Sequence, residues 1–414
     1  MADNNPIYLN GNDLSPEDLV RLQSASAKIV IAEDSITKIN GSRKVLDDIV
    51  AGTRVVYGVN TGFGKFADKI ISKDNLAKLQ VNLIRSHCAG TGKPLSKERS
   101  RSLLALRINV LCKGFSGICY ENVKKMVNSY NNDCIPVVPE KGTVGASGDL
   151  APLSHIALGL MGEGPMWTLN VENPTPDGKA CDVLKVAGCD PIELGAKEGL
   201  AMINGTQFIT SLTAEALVRS ERLLKTAIIV AAVSIEALLG TSAAFDPEIH
   251  AARPHTGQNY VAKLLRKLLP APVRDPEVHA NADAFESKLK NKYADAERVQ
   301  DAYTCRCTPQ VYGVTLDTLK FVRHIITTEI NSATDNPMVF ESKNATVSGG
   351  NFHGEYPAKM ADFLSIAVAE LAQMSERRIE RLMNPANNDN MLPMFLTPGG
   401  GLNSGLMITH VGGF

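Results

Sequence analysis

The stretch Gly142-Thr143-Val144-Gly145-Ala146-Ser147-Gly148-Asp149 carries the most distinctive chemistry in the sequence. Its glycines and alanine let the backbone fold tightly on itself, because little or no Cβ bulk resists unusual φ and ψ. In such a turn the amide nitrogen of Gly148 comes within reach of the carbonyl carbon of Ala146. Ring closure with loss of one water, and departure of the Ser147 hydroxyl as a second, leaves a conjugated exocyclic methylene. That group is an electrophile, which the standard side chains do not supply. The plain alternative for a Gly-x-x-Gly segment is a tight or phosphate-binding turn ahead of a helix.

Other segments invite simpler readings. YGVNTGFGKFAD (57–68) looks like a nucleotide loop, but the interval from Gly58 to Gly64 is one residue too long for a P-loop, and Phe66 stands where a magnesium-binding Ser or Thr belongs. The G-x-G-x-x-A run at 62–67 is followed by no acid between residues 75 and 97, which argues against a dinucleotide site. His353 has no second histidine at helical spacing, so no metal is expected. Ser86-His87, Asn204, Arg306 and the run ERRIER (376–381) have ordinary readings as packed, capping or solvated residues, and Asp335 and Asn336 read as turn and capping residues.

The elements around these residues follow from composition and pattern. The chain has 414 residues, 44% apolar and 21% charged, with 43 Lys and Arg against 44 Asp and Glu. A core of that size needs neither metal nor disulfide, and the charge balance excludes a polyelectrolyte binder, so nucleic acid is not an expected partner. The start, MADNNPIYLNGNDLSPEDL, has no basic, apolar signal pattern, and the expectation is a cytoplasmic protein. The most apolar stretch, 226–235, is about half the ~20 residues of a membrane span and reads as a buried helix, with no membrane partner. Eight cysteines without a C-x-x-C pair fit a reduced compartment and argue against zinc.

Ser15-Pro16-Glu17-Asp18 starts a helical region running to Gly52. The β-branched run 54–59 reads as a short strand, followed by a glycine-rich loop. Helices are expected from near Asn75, over 97–113 and over 121–130, with an irregular excursion over 168–194 that contains a hairpin. Beyond residue 200, helices are expected over 200–240, in part of 276–303, over 311–333 and over 358–383. The last carries an apolar stripe through Met360, Leu364, Ala367, Leu371 and Met374. The organisation is an N-terminal domain, 1–200, that carries the special loop, and a long-helix bundle, 201–414.

The longer string GTVGASGDLAPLSHIALGLMGEG (142–164) resembles the signature of the aromatic amino acid ammonia-lyase family, and nearly the whole chain from about residue 50 reads like that family. The resemblance implies a mainly α, fumarase/aspartase-like helical architecture and a homotetramer with active sites shared between subunits. It implies that Ala146, Ser147 and Gly148 condense to 4-methylidene-imidazol-5-one, with Asp149 assisting cyclisation. Tyr57, on the inner active-site loop, becomes the preferred base, and Tyr303 the competing base or a positioning group. Arg306 holds the substrate carboxylate, Asn204 and Phe352 flank the cofactor, and Gln310 matches a further site position.

Family members acting on histidine carry Ser-His where Ser86-His87 stand, whereas phenylalanine and tyrosine lyases tend to carry Phe-Leu or His-Leu. The implied reaction is therefore L-histidine to urocanate and ammonium. The alternatives are a phenylalanine or tyrosine ammonia-lyase, an aminomutase, or a catalytically silent helical assembly protein. The family text continues past Phe414 into helices that include a glutamate at the substrate imidazole. Without it, discrimination is expected to rest on Ser86 and His87.

Overall fold

The computed structural model describes residues 5–170, 172–269, 300–397 and 402–407. The order of elements is β1 (Ile7–Leu9), α1 (Pro16–Arg21), β2 (Ile29–Ile31), α2 (Glu33–Ala51), α3 (Leu76–His87), β3 (Thr91–Pro94), α4 (Lys97–Leu111), α5 (Tyr120–Asn131), β4 (Pro139–Lys141), α6 (Leu150–Leu160), β5 (Pro165–Met166), β6 (Gly178–Lys179), α7 (Ala180–Val186) and α8 (Glu198–Ile203). It continues with α9 (Gln207–Ala237), α10 (Pro247–Ala251), α11 (Thr256–Leu268), α12 (Tyr303–Arg306), α13 (Thr308–Ile330), β7 (Met338–Phe340), β8 (Ala345–Val347) and α14 (Glu355–Met383). The fold is mainly α, and its described strands form only two-stranded sheets. The part of the expected helix at 276–299 lies outside the described residues.

Two compact units are present, one comprising Met1–Val218 with Arg323–Ala361, the other Arg219–Val322 with Asp362–Phe414. In the first, α4 is buried along nearly its whole length, including Leu103, Leu104, Leu106, Ile108, Val110 and Leu111. A helix buried on every side, polar residues such as Arg101, Arg107 and Asn109 included, is surrounded by protein. Ser96 caps it by accepting the Arg99 amide at 3.3 Å. The Ser15 cap also forms, with the Asp18 amide donating to Ser15 Oγ at 3.1 Å and the Ser15 amide to Asp18 Oδ2 at 3.0 Å.

The helical region expected through residue 51 is interrupted. α1 ends at Arg21, and Ile29–Ile31 forms a strand parallel to Ile7–Leu9. The run 54–59 also differs from expectation: it forms no strand. Val56 and Val59 are instead buried against Val45, Leu46 and Ile49 of α2 and Val339 of β7. Its apolar residues anchor a turn, so the core contact, not a ladder, fixes the start of the glycine-rich loop. A small antiparallel pair, Pro165 with Lys179 and Met166 with Gly178, has only its second strand inside the irregular excursion expected over 168–194; its first strand precedes that segment.

In the second unit, Arg378 of α14 is buried and ties that helix to α12 and α13. Its Nε donates to Thr304 O at 2.9 Å, Nη1 to Tyr312 Oη at 2.8 Å and Nη2 to Thr308 Oγ1 at 2.9 Å. The ERRIER run is thus not a wholly solvated face, because its third residue points inward.

A fully buried ion pair pins the first unit. Lys197 Nζ lies 2.9 Å from Asp335 Oδ2, with both side chains at 0% exposure, and also donates to Ser116 O at 2.9 Å. Burial pushes the Lys197 pKa down, and Asp335 opposes that shift. Removing one partner strands the other charge in the core. Asp335→Ala is expected to lower the unfolding free energy by about 3–5 kcal/mol, measured by urea denaturation of the purified protein. A loss under ~1 kcal/mol, the scale of an exposed pair, would contradict this account.

Candidate active site

The loop over 143–149 is held from several sides. The Thr143 hydroxyl donates to Asp149 Oδ1 at 2.6 Å and accepts from the Gly145 amide at 3.2 Å. The Ala146 amide donates to Val144 O at 2.8 Å and the Gly148 amide to Gly145 O at 3.0 Å, which closes two successive tight turns. Ala146 and Ser147 are exposed at the lip, whereas Gly148 and Asp149 are buried beneath them.

Gly148 has φ +79°, and a Cβ there would meet Gly205 O at 2.8 Å and Phe352 O at 3.0 Å. Only glycine fits this position, for both conformation and space. The segment after Phe352 docks on the same loop, with the Gly354 amide donating to Gly145 O at 2.9 Å. A five-membered ring spanning 146–148 needs this compact backbone and the absence of a Cβ at residue 148, so the residues present fit a 4-methylidene-imidazol-5-one.

Asp149 joins the loop to the start of α9. Its Oδ2 accepts from the Phe208 amide at 2.8 Å and the Ile209 amide at 3.1 Å, while its own amide donates to Gly205 O at 2.7 Å. First-turn amides have no partner within their own helix, and the helix dipole favours an anion there. Even so, burial raises the Asp149 pKa to about 6, the hydrogen bonds from Thr143, Ile209 and Phe208 opposing the rise.

The short link between α8 and α9 is held from the opposite side by Arg107 of α4. Its Nη1 donates to Asn204 O at 3.1 Å and Gln207 Oε1 at 2.7 Å, and its Nη2 to Ala201 O. The side chain is fully buried, and that burial lowers its pKa to about 10. The Asn204 side chain donates to Asn336 O at 2.9 Å. Asn336 matches its reading as a turn or capping residue, since its carboxamide oxygen accepts from the Gly349 amide at 2.6 Å. Asp335, expected in the same role, lies in the buried ion pair.

Tyr57 stands at the glycine-rich loop of the same unit, and Ser86 and His87 end α3. The Gly64 amide lies 3.4 Å from Tyr57 Oη. The glycine-rich loop and α3 border a cleft of about 490 Å³, lined by Gly62, Phe63, Phe66, Leu83, Ser86 and His87 among others. Ser86 Oγ donates to Leu83 O at 3.0 Å, and His87 Nδ1 lies 2.9 Å from that carbonyl. A carbonyl only accepts, so Nδ1 carries the proton and Nε2 is left as an acceptor.

Tyr303, Arg306 and Gln310 belong to the second unit. The Arg306 guanidinium lies 4.4 Å above the Tyr303 ring, and its Nε donates to Asp301 O at 2.9 Å. Gln310 Oε1 is buried without a partner among the described residues. No group of three or more His, Cys, Asp or Glu among the described residues is arranged to hold a metal, and no described helix is long and apolar enough to cross a membrane.

The Asp149 carboxyl has a consequence for pH. Its folded pKa, about 6, lies above the ordinary 3.8, so its contribution to stability is fully present below pH ~4 and is lost as pH rises through ~6. Relative to Asp149→Asn, the parent should lose up to about 3 kcal/mol of unfolding free energy between pH 4 and 7. Urea denaturation of both proteins across that range measures the difference, and parallel curves would refute the assignment.

Residues 14–412 match the family model described as aromatic amino acid lyase. Histidine ammonia-lyase of Mus musculus is 55% identical over 404 residues, an alignment covering 98% of this chain and 59% of that protein. The chain thus spans about three-fifths of the length of that curated relative. The crystal structure of histidine ammonia-lyase from Trypanosoma cruzi superposes with a TM-score of 0.86 at 46% identity, covering 99% of this chain and 73% of that one. Tyrosine aminomutase from Streptomyces globisporus gives a TM-score of 0.86 at 35% identity, with 99% and 77% covered. With the family model matched over residues 14–412 and the helical fold shared with these solved structures, the chain belongs to the aromatic amino acid lyases.

Proposed function

We propose that this protein eliminates ammonia from L-histidine to give urocanate, using 4-methylidene-imidazol-5-one formed from Ala146, Ser147 and Gly148. The observation that carries the reading is the confined space at Gly148, where a Cβ would meet Gly205 O at 2.8 Å and Phe352 O at 3.0 Å beside the tight turns at 144–148. The similarity to histidine ammonia-lyases supports the substrate. When formed, the group supplies an electrophilic methylene that turns a substrate amine into a better leaving group.

The chain's own residues supply binding and proton transfer. Asp149, buried and able to exchange a proton near neutral pH, assists ring formation. Tyr57 removes the β proton of the substrate, with Tyr303 the competing base. The Arg306 fork binds the substrate carboxylate. Asn204 and Phe352 flank the electrophile, and Gln310, with its unpartnered oxygen, offers an acceptor to the bound amino acid. His87 Nε2 accepts the N–H of the substrate imidazole, a contact an apolar phenyl ring cannot return. Ser86 holds that tautomer in place.

Tyr303, Arg306 and Gln310 act, in this reading, at the loop of a neighbouring subunit of a homotetramer in the cytoplasm. Two experiments test the proposal. The parent should be lighter than its sequence by two waters and release urocanate from histidine, whereas Ser147→Ala should keep the unmodified mass and lose turnover. Cinnamate or a β-amino acid as the main product would favour a different lyase or an aminomutase, and absence of both mass loss and product would favour a silent assembly protein.

Arg306→Ala should weaken kcat/KM by about 2 kcal/mol or more, the loss of a desolvated charge partner. Mixed oligomers of Arg306→Ala and Ser147→Ala chains should regain activity that neither has alone. Failure of well-mixed hybrids to recover any would count against sites shared between subunits.

A further inference from the structure

Arg107 lies in α4, a helix of the first unit buried along nearly its whole length, and is itself fully buried. A charge in such a place is costly unless its donors are matched. No carboxylate among the described residues lies within ion-pair distance of it. Its two terminal nitrogens donate to Ala201 O, Asn204 O at 3.1 Å, Gln207 Oε1 at 2.7 Å and, more distantly, Thr334 O at 3.5 Å, while its Nε is buried without a partner among the described residues. Ala201 O and Asn204 O belong to the last turn and cap of α8, where carbonyls have no intrahelical partner and the helix dipole favours a cation.

The link between α8 and α9 is therefore gripped at both ends by opposite charges. Arg107 serves the carbonyl end of α8, and Asp149 serves the amide end of α9. Gly205 sits between them. A Cβ on it would meet Arg107 Nη1 at 2.5 Å, and its carbonyl oxygen is the atom that a Cβ on Gly148 would meet at 2.8 Å. One short path runs from the guanidinium through the 204–205 backbone to the residue whose amide must close the ring.

We propose that Arg107 is a positioning residue for closure of the Ala146-Ser147-Gly148 ring, holding Gly205 as the wall against which the loop is compressed. The inference rests on the cofactor reading above. Arg107 does not touch the reacting atoms. It acts by fixing where Gly205 O and the first amides of α9 stand, and hence where Gly148 and Asp149 are held. Without it the α8–α9 link loses its anchor to α4 and keeps only the Asp149 contacts and the side-chain bonds of Asn204 to Asn336 O, Thr206 to Glu329 and Gln207 to Thr334; the turn relaxes, and the Gly148 nitrogen spends less time within reach of the Ala146 carbonyl carbon.

The test follows ring formation by intact mass, independently of turnover. The 414-residue parent, Arg107→Lys and Arg107→Ala are refolded from denaturant immediately after a short expression pulse, and the fraction lighter by two waters is followed in time. Far-UV circular dichroism and a cooperative urea transition establish that each variant is folded. Arg107→Lys keeps the charge but not the fork, and is expected to close its ring about tenfold more slowly or worse. Arg107→Ala is expected to stay at the unmodified mass and to recover the two-water loss when millimolar guanidinium is added during refolding, which a general loss of stability would not do.

A folded Arg107→Lys that matures at the parent's rate would overturn the proposal. Should neither Arg107 variant fold, Gln207→Met, which removes an acceptor of the guanidinium, is expected to mature more slowly than Gln207→Glu, which keeps one. Equal, parental rates for that pair would also overturn it. A parent that never becomes lighter by two waters would instead sink the cofactor reading itself.

Discussion

The carboxylate of Asp149 is the constraint on which the first unit's special loop depends. It is buried, and it is satisfied by one hydroxyl and two backbone amides. Those amides begin a helix of 31 residues. A flexible glycine-rich segment is thereby tied to one of the longest elements of the chain. Glycines alone make a tight turn possible without selecting it, because the same freedom favours the unfolded ensemble. Selection comes from contacts at residues 205, 208, 209, 352 and 354, all distant in sequence from the loop.

Two opposed tendencies meet at this carboxylate. Helix-terminal amides favour its ionised form, and removal from water favours its neutral form. Desolvation wins, leaving an acid whose proton is exchangeable near neutral pH. Arg107 is the counterpart, a cation deprived of water whose ordinary pKa is so high that even a lowered value, about 10, leaves it charged. The Lys197–Asp335 pair adds a third buried charge arrangement in the same unit. Such groups give a core fixed directions that apolar packing alone does not, since each needs its partner at a particular angle.

Much of this is legible in the sequence, and the limits have physical causes. Gly142 to Asp149 stands out because sterics and chemistry coincide there; α5 and α14 emerge from their period, and α4 from a long run that stops at Gly114. The β1–β2 pair does not, since three-residue strands separated by a helix leave almost no periodic trace. The β-branched run at 54–59 misleads, because Val56 and Val59 are core anchors on a turn rather than members of a ladder. Asp335 reads as a turn residue because its partner stands 138 positions earlier. Arg107 carries a signal that the pattern reading passes over: an arginine within LLALRINVL, a run apolar on every helical face, has nowhere to go but inside.

The spread of the loop's restraints along the chain also sets an order of events during synthesis. The turn at 146–148 is backed by the carbonyl oxygens of Gly205 and Phe352 and by the amide of Gly354. Until residues 205 and 352–354 have been synthesised, the segment carrying Ser147 lacks these restraints. Dehydration as proposed here thus waits for tertiary structure, and the nascent chain carries no electrophile that cellular thiols or amines can intercept. On the proposed reading, the reactive group arises only after the surrounding fold has formed.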